Sequence, residues 1–215
     1  MRPSLYGLYA ITSAAICRDE ARLVAAVSAA LAGGVRWIQY RDKAASPAQR
    51  RDRAAALTRL CHAQQAGLII NDDVDLARSS GADGVHIGAS DGDIAAARRA
   101  LGPGRILGVT CGNDLVRARQ AVALGADYVA FGRLFASRTK PDAPPASLTT
   151  VRQAAQSLSV PVCAIGGILP EHLPEVSATG AQLIAVIEGI FGSNDIESAA
   201  RHYIAGSAPY NCGSD

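Results

Sequence analysis

The residues able to do chemistry fall in short clusters. Gln39-Tyr40-Arg41-Asp42-Lys43 puts an amide, two cations and a carboxylate within five positions. Further on come Asn71-Asp72-Asp73, Ser90-Asp91, Thr110-Cys111, the stretch holding Arg133, Ser137, Arg138, Thr139 and Lys140, and then Gly166-Gly167. Carboxylates and cations in this mixture suit a metal-bound polyphosphate. Mg²⁺ takes one or two carboxylates plus phosphate oxygens and waters, while Arg and Lys neutralise the remaining charge. On that reading Asp72 and Asp91 are metal ligands, and Arg41, Lys43 and Lys140 surround the phosphates. The plainer reading is that Asp72, Asp73, Asp91 and Asp93 only cap helices, as acidic residues in short loops commonly do. Caps explain neither the cations nor the clustering.

Gly166-Gly167, followed by Ile168-Leu169-Pro170 opening a helix, would present bare backbone N–H groups of the kind that hold a monophosphate. A tight turn without a ligand would use the same glycines. One metal-dependent and one backbone-built anion site together imply two phosphorylated substrates meeting at one place.

These clusters need elements to position them, and each stands at the end of a short aliphatic run. Eight such runs are legible: Gly7 to Thr12, Trp37 to Tyr40, Leu68 to Asn71, Gly84 to Ile87, Leu107 to Thr110, Tyr128 to Phe131, Val162 to Ile165 and Leu183 to Val186. Ala-rich segments of helical period lie between them. Unbroken apolar runs suit strands buried on both faces, and eight strand–helix units favour a closed (β/α)₈ TIM barrel, an α/β fold, over a doubly wound sheet. The 215 residues fit such a barrel as one domain, about 200 to 250 residues long. Residues 1–206 are expected to form it and 207–215 a flexible tail. In this architecture function lies on the loops that follow the strands, where all the polar clusters fall.

Local signals agree. Ser46-Pro47-Ala48-Gln49 reads as a capping box with proline in the first turn, and Asn113 is expected to cap the fifth helix. Gly33-Gly34, Gly67, Gly81, Gly125 and Gly180 precede strands and are expected to end helices in left-handed turns, three of them within Gly-Ala-Asp or Gly-Ala-Gln. Pro141 to Ser147 reads as an exposed loop beside the site.

Composition excludes other classes. With 49% hydrophobic and 19% charged residues the chain can build a core, and a net charge of +2 without a Lys/Arg run gives no footprint for nucleic acid or an anionic membrane. The five cysteines, Cys17, Cys61, Cys111, Cys163 and Cys212, form neither a disulfide framework nor a zinc pattern, so a reducing cytoplasm is expected. No signal-peptide core or membrane-spanning run is present in the sequence. The expected partners are small molecules, and a homo-oligomer is left open.

The ordered set of motifs resembles the thiamine-phosphate synthase family from about Leu8 to Phe191. It is carried by Gln-Tyr-Arg-Asp-Lys at 39 to 43, Ile-Asn-Asp-Asp-Val-Asp-Leu-Ala at 70 to 77, Gly-Ala-Asp-Gly-Val-His-Ile-Gly at 81 to 88, Gly-Ala-Asp-Tyr-Val-Ala-Phe-Gly at 125 to 132, Thr139-Lys140 and Ala-Ile-Gly-Gly-Ile at 164 to 168. The resemblance implies a transferase that joins 4-amino-5-hydroxymethyl-2-methylpyrimidine pyrophosphate to a thiazole phosphate or its carboxylate. Thiamine phosphate forms, and pyrophosphate leaves before the nucleophile bonds. It implies Mg²⁺ on Asp72 and Asp91. It places Gln39, Tyr40, Arg41, Asp42, Lys43, Asn71, Thr110 and Lys140 around the pyrimidine pyrophosphate, with Arg41, Lys43, Thr110 and Lys140 catalytic. Ser137, Arg138, Thr139, Gly167, Ile187 and Glu188 would meet the thiazole phosphate.

Glu188 stands where many relatives carry Ser, and a carboxylate beside a phosphate must be paired or turned away. Arg133 and Arg138 are the candidate partners. His86 reads as a hydrogen-bonded core group rather than a base, and Cys111 as lining rather than nucleophile. Two competing readings remain. A tautomerase-like isomerase of the same barrel needs no metal, which Asp72, Asp91, Lys43 and Lys140 speak against. A non-catalytic phosphate-ligand sensor would rest on the altered 133–140 loop and Glu188 alone.

Overall fold

Alternation along eight short strands sorts the apolar side chains into two cores. The computed structural model describes residues 3–88, 92–136 and 144–207. Its strands are β1 (Gly7–Ile11), β2 (Trp37–Tyr40), β3 (Gly67–Asn71), β4 (Gly84–Ile87), β5 (Ile106–Gly112), β6 (Tyr128–Phe131), β7 (Val162–Ile165) and β8 (Leu183–Val186). Each pairs in parallel with the next, and β8 closes on β1. These are the eight runs read from the sequence, with some ends moved by one or two residues. Tyr9, Trp37, Ile69, Tyr128 and Leu183 form the core inside the barrel, while their chain neighbours Leu8, Ile38, Leu68, Val129 and Ile184 belong to the core between strands and helices. The interior is tight: a Cβ on Gly67 would stand 2.1 Å from the Trp37 ring, and one on Gly108 2.1 Å from the Tyr128 ring.

The covering helices are α1 (Glu20–Ala32), α2 (Pro47–Ala63), α3 (Val74–Ser79), α4 (Ile94–Leu101), α5 (Leu115–Ala123), α6 (Leu148–Ser157) and α7 (Leu173–Ser177), with α8 (Glu188–Phe191) and α9 (Ile196–Gly206) after β8. The capping box at Ser46 is present with Gln49 as its second half. The cap of α5 is Asp114, whose carboxylate accepts from Val116 and Arg117 N–H, and not Asn113. Asn113 instead accepts from Ser147 N–H at 3.1 Å, tying the start of α6 to that of α5. Gly34, Gly81, Gly125 and Gly180 take the left-handed turns expected of them. Gly33 does not, with φ −71°. Before β3 the turn is made by Gln65 at φ 55°, and Gly67 serves Trp37 by lacking a side chain.

At the floor of the barrel, where strands begin, the repeated Gly-Ala-Asp/Gln has a structural purpose. Asp83 N–H donates to Leu68 O at 2.9 Å, and the Asp83 carboxylate accepts from Leu68 N–H at 2.9 Å. Asp127 does the same to Leu107 at 2.8 and 2.7 Å, and Gln182 to Val162 at 2.9 and 2.8 Å. Three strand pairs are thus clamped by reciprocal bonds. Among the described residues no helix is long and apolar enough to cross a membrane. The expected tail beyond Ser207 lies outside the described residues.

Candidate active site

The chain leaves β2 under control. Thr12 Oγ1 accepts from Arg41 N–H at 2.8 Å and donates to Arg41 O at 3.0 Å, fixing the backbone where the first cluster begins. Asp42 is then turned inward. Its side chain is 3% exposed and accepts from Arg53 Nη1 at 2.7 Å, from the N–H groups of Ala44 and Ala45 at 3.1 Å, and from the Tyr40 hydroxyl at 3.3 Å. Burial opposes the charge on Arg53, but Asp42 and Tyr40 hold it protonated. Tyr40 and Asp42 therefore engage each other and Arg53, and shape the loop that carries Arg41 and the exposed Lys43.

At the end of β3, Asp72 adopts φ 64°, a left-handed conformation that Asp tolerates better than most residues. Its N–H donates to His86 O at 2.8 Å, and its carboxylate meets Asn71 Nδ2 at 2.5 Å and Lys43 Nζ at 3.5 Å. The next residue, Asp73, caps α3 through Leu76 N–H, and Asp93 caps α4 through Ala95 N–H. The capping explanation holds for these two and fails for Asp72. Asp91 lies outside the described residues. A cleft of about 330 Å³ opens here, lined in part by Lys43, Arg50, Asn71 and Asp72. Arg50 lies outside the clusters that the sequence singles out. It sits one turn into α2 and places Nη1 3.5 Å from Asp73. The Ser46 cap was the available signal, since it puts the first turn of α2 beside the strand ends.

Deeper in the barrel a chain of side chains crosses the interior. Gln39 Nε2 donates to the Tyr9 hydroxyl at 2.8 Å, and the Tyr9 and Tyr128 hydroxyls lie 3.0 Å apart. Tyr128 OH is 2.8 Å from His86 Nδ1, and His86 Nε2 is 2.8 Å from Thr110 Oγ1. Burial pushes both tyrosine hydroxyls well above their usual range. His86 is thus the hydrogen-bonded core group expected of it. The register of β5 against β6 shifts between Thr110 and Gly112. Cys111 is not lining: it is buried in the outer core, with its thiol pushed up to about 12 by burial.

The ends of β7 and β8 form a second region. Gly166 and Gly167 have φ 107° and 65°. A Cβ on Gly167 would stand 2.2 Å from Ala136 O, so neither position accepts a side chain cheaply. Phe135 N–H donates to Gly166 O at 2.8 Å, and the Phe135 ring stacks on His172 at 3.8 Å. The glycines lead into a 3₁₀ turn, Pro170–His172, ahead of α7, rather than straight into a helix. β7 and β8 stay paired as far as Ile165 and Ala185, so the Gly166-Gly167 turn and Ile187, the residue before α8, leave the barrel at adjacent strand ends. Glu188 is exposed, its carboxylate lying over Gly192 and making no ion pair with Arg133 among the described residues. Ser137, Arg138, Thr139 and Lys140 lie outside the described residues.

A family model described as thiamine monophosphate synthase matches residues 8–190, the span from β1 to α8. A protein named thiamine-phosphate synthase from Alcanivorax borkumensis is 54% identical over 204 residues, which cover 94% of each chain. The chain belongs to the thiamine monophosphate synthase family. A second similar protein, the thiamine-phosphate synthase of Methylobacillus flagellatus, is 50% identical over 94% of this chain and 95% of its own. Among solved structures, thiamine phosphate pyrophosphorylase from Pyrococcus furiosus superposes with a TM-score of 0.87 at 32% identity, covering 96% of this chain and 98% of that one. For a thiamine monophosphate synthase family member the match spans every strand end on which Gln39, Asn71, Asp72, Thr110 and Gly167 stand.

Proposed function

We propose that the chain works as a Mg²⁺-dependent thiamine-phosphate synthase, transferring the pyrimidinylmethyl group from its pyrophosphate to a thiazole phosphate or its carboxylate. The observation that carries this reading, in a chain of this family, is Asp72. It is a carboxylate freed from capping, held beside Lys43 and Asn71 at the cleft. The donor set fits a hard cation. Among the described residues no three His, Cys, Asp or Glu side chains gather, and Mg²⁺ bound with substrate phosphates needs only one or two carboxylates. Asp72 and Asp91 are the residues that would hold it. Bound there, Mg²⁺ supplies a Lewis acid that shares the charge of the departing pyrophosphate.

The remaining work falls to the chain. Arg41, Lys43 and Lys140 hold the phosphate oxygens and stabilise the negative charge that grows as the carbon–oxygen bond breaks. Gln39, Asn71 and Thr110 orient the pyrimidine, whose ring amino group delocalises the positive charge left on its methylene. Gly167, Ser137, Arg138, Thr139 and the Ile187-Glu188 backbone hold the thiazole phosphate so that its ring nitrogen lies about 3 Å from that carbon. Glu188, lying over Gly192, leaves its backbone rather than its carboxylate for the phosphate. No base is required before bond formation. The setting is cytoplasmic, with small molecules as the only partners needed.

Incubation with both substrates and Mg²⁺ should yield thiamine phosphate and pyrophosphate, and EDTA should abolish both. Absence of product, with EDTA making no difference, would overturn this reading.

A further inference from the structure

Gln39 and Thr110 terminate one unbroken line of hydrogen bonds, and only two directions of that line use every tyrosine hydroxyl hydrogen within it. Each tyrosine hydroxyl has one hydrogen to give, and a neutral imidazole has one N–H. With Gln39 Nε2 donating to Tyr9, the Tyr9 hydrogen goes to Tyr128 and the Tyr128 hydrogen goes to His86 Nδ1. His86 then carries its hydrogen on Nε2 and donates it to Thr110 Oγ1. The Thr110 hydroxyl is left with a hydrogen to offer, and the Gln39 amide with its Oε1. The reverse direction would exchange these roles at both ends.

We propose that His86 is a positioning residue. Through it the buried tyrosine pair sets Thr110 as a hydrogen-bond donor and Gln39 as an acceptor toward the bound aminopyrimidine. This polarity matches the ligand class: a ring amino group has hydrogens for Gln39 Oε1, and a ring nitrogen or phosphate oxygen accepts from Thr110. The heavy atoms of the line are held in place, because Tyr9 and Tyr128 are 2% and 0% exposed and the Tyr128 ring packs directly on the Gly108 backbone. The inference rests on the reading of Gln39 and Thr110 as pyrimidine-binding.

The decisive measurement is made on the protein without substrate. Long-range ¹⁵N–¹H spectra of the histidine rings, with His86 assigned by loss of its signals in His86→Gln, should show Nε2 protonated and Nδ1 bare. A hydrogen on Nδ1, alone or with one on Nε2, overturns the proposal. Kinetics add a second arm. His86→Leu should lower kcat/KM for the pyrimidine pyrophosphate about 10-fold with KM for the thiazole phosphate unchanged, and His86→Gln, which keeps an N–H for Thr110, should recover most of it. Equal losses in the two variants count against it. Should His86→Leu fail to fold, Tyr128→Phe, which strips the donor from Nδ1, takes its place and should cost several-fold. Thr110→Ala separates the two levels. Full activity there removes the pyrimidine-binding assignment and the proposal with it, whereas a loss at Thr110 with none at His86 removes the proposal alone.

Discussion

The floor and the mouth of this barrel use the same residue type in opposite ways. At the floor Asp83 and Asp127 turn their carboxylates onto backbone N–H groups of the preceding strand, and each also meets a side chain of a covering helix, His62 at 3.0 Å and Arg98 at 3.4 Å. At the mouth the Asp72 carboxylate meets only side chains, Asn71 Nδ2 at 2.5 Å and Lys43 Nζ at 3.5 Å, and with Asp72 28% and Lys43 61% exposed the ion pair is worth at most about 1 kcal/mol and easily rearranged around a ligand. The carboxylates of the floor thus commit hydrogen-bonding capacity to backbone, and that of Asp72 commits none to it. Asp42 sharpens the point. It lies in the mouth cluster, yet its carboxylate is bound to Arg53 and two backbone N–H groups in the manner of the floor.

The comparison can be broken by substitution. Arg53→Ala leaves Asp42 buried without its partner and should cost about 3 to 5 kcal/mol of stability, read as a fall in the urea midpoint. A small change would mean that Asp42 is less committed than its geometry implies. Lys43→Ala and Asp72→Asn should lower turnover roughly 10- to 150-fold, about 1.5 to 3 kcal/mol, with an unchanged urea midpoint. Loss of stability in either would erase the distinction between the two ends. Asp83→Ala orphans the buried Leu68 N–H and should cost about 2 kcal/mol of stability, while kcat and KM well below the melting temperature stay at wild-type values. Arg50→Ala, removing a cation from the cleft, should raise KM for the pyrimidine pyrophosphate about 3-fold. An unchanged KM would assign Arg50 to Asp73 alone.

Strand positions were readable because strands buried on both faces leave continuous aliphatic runs, and the helix starts because Ser and Asp caps act within three residues. Asp114 displaced Asn113 as a cap because the two stand side by side and a carboxylate is the better acceptor for two N–H groups. The clusters at 39–43 and 70–73 were legible as groups, but the division of labour inside them was not. The partner of Asp42 lies 11 residues away on α2. The line through His86 joins residues up to 119 apart and exists only once the barrel closes. Gly67 was misread for a related reason: its role depends on the Trp37 ring from the adjacent strand, which no local turn pattern contains.

The backbone at Asp72 carries one more consequence. A residue with a Cβ held at φ 64° is strained relative to glycine by about 1 kcal/mol, but glycine loosens the unfolded chain by a similar amount, so Asp72→Gly should leave stability nearly unchanged while removing the carboxylate from the cleft. A library screened only for thermal tolerance should accept glycine at position 72 as readily as aspartate. A screen for turnover should separate the two residues if the carboxylate serves the reaction.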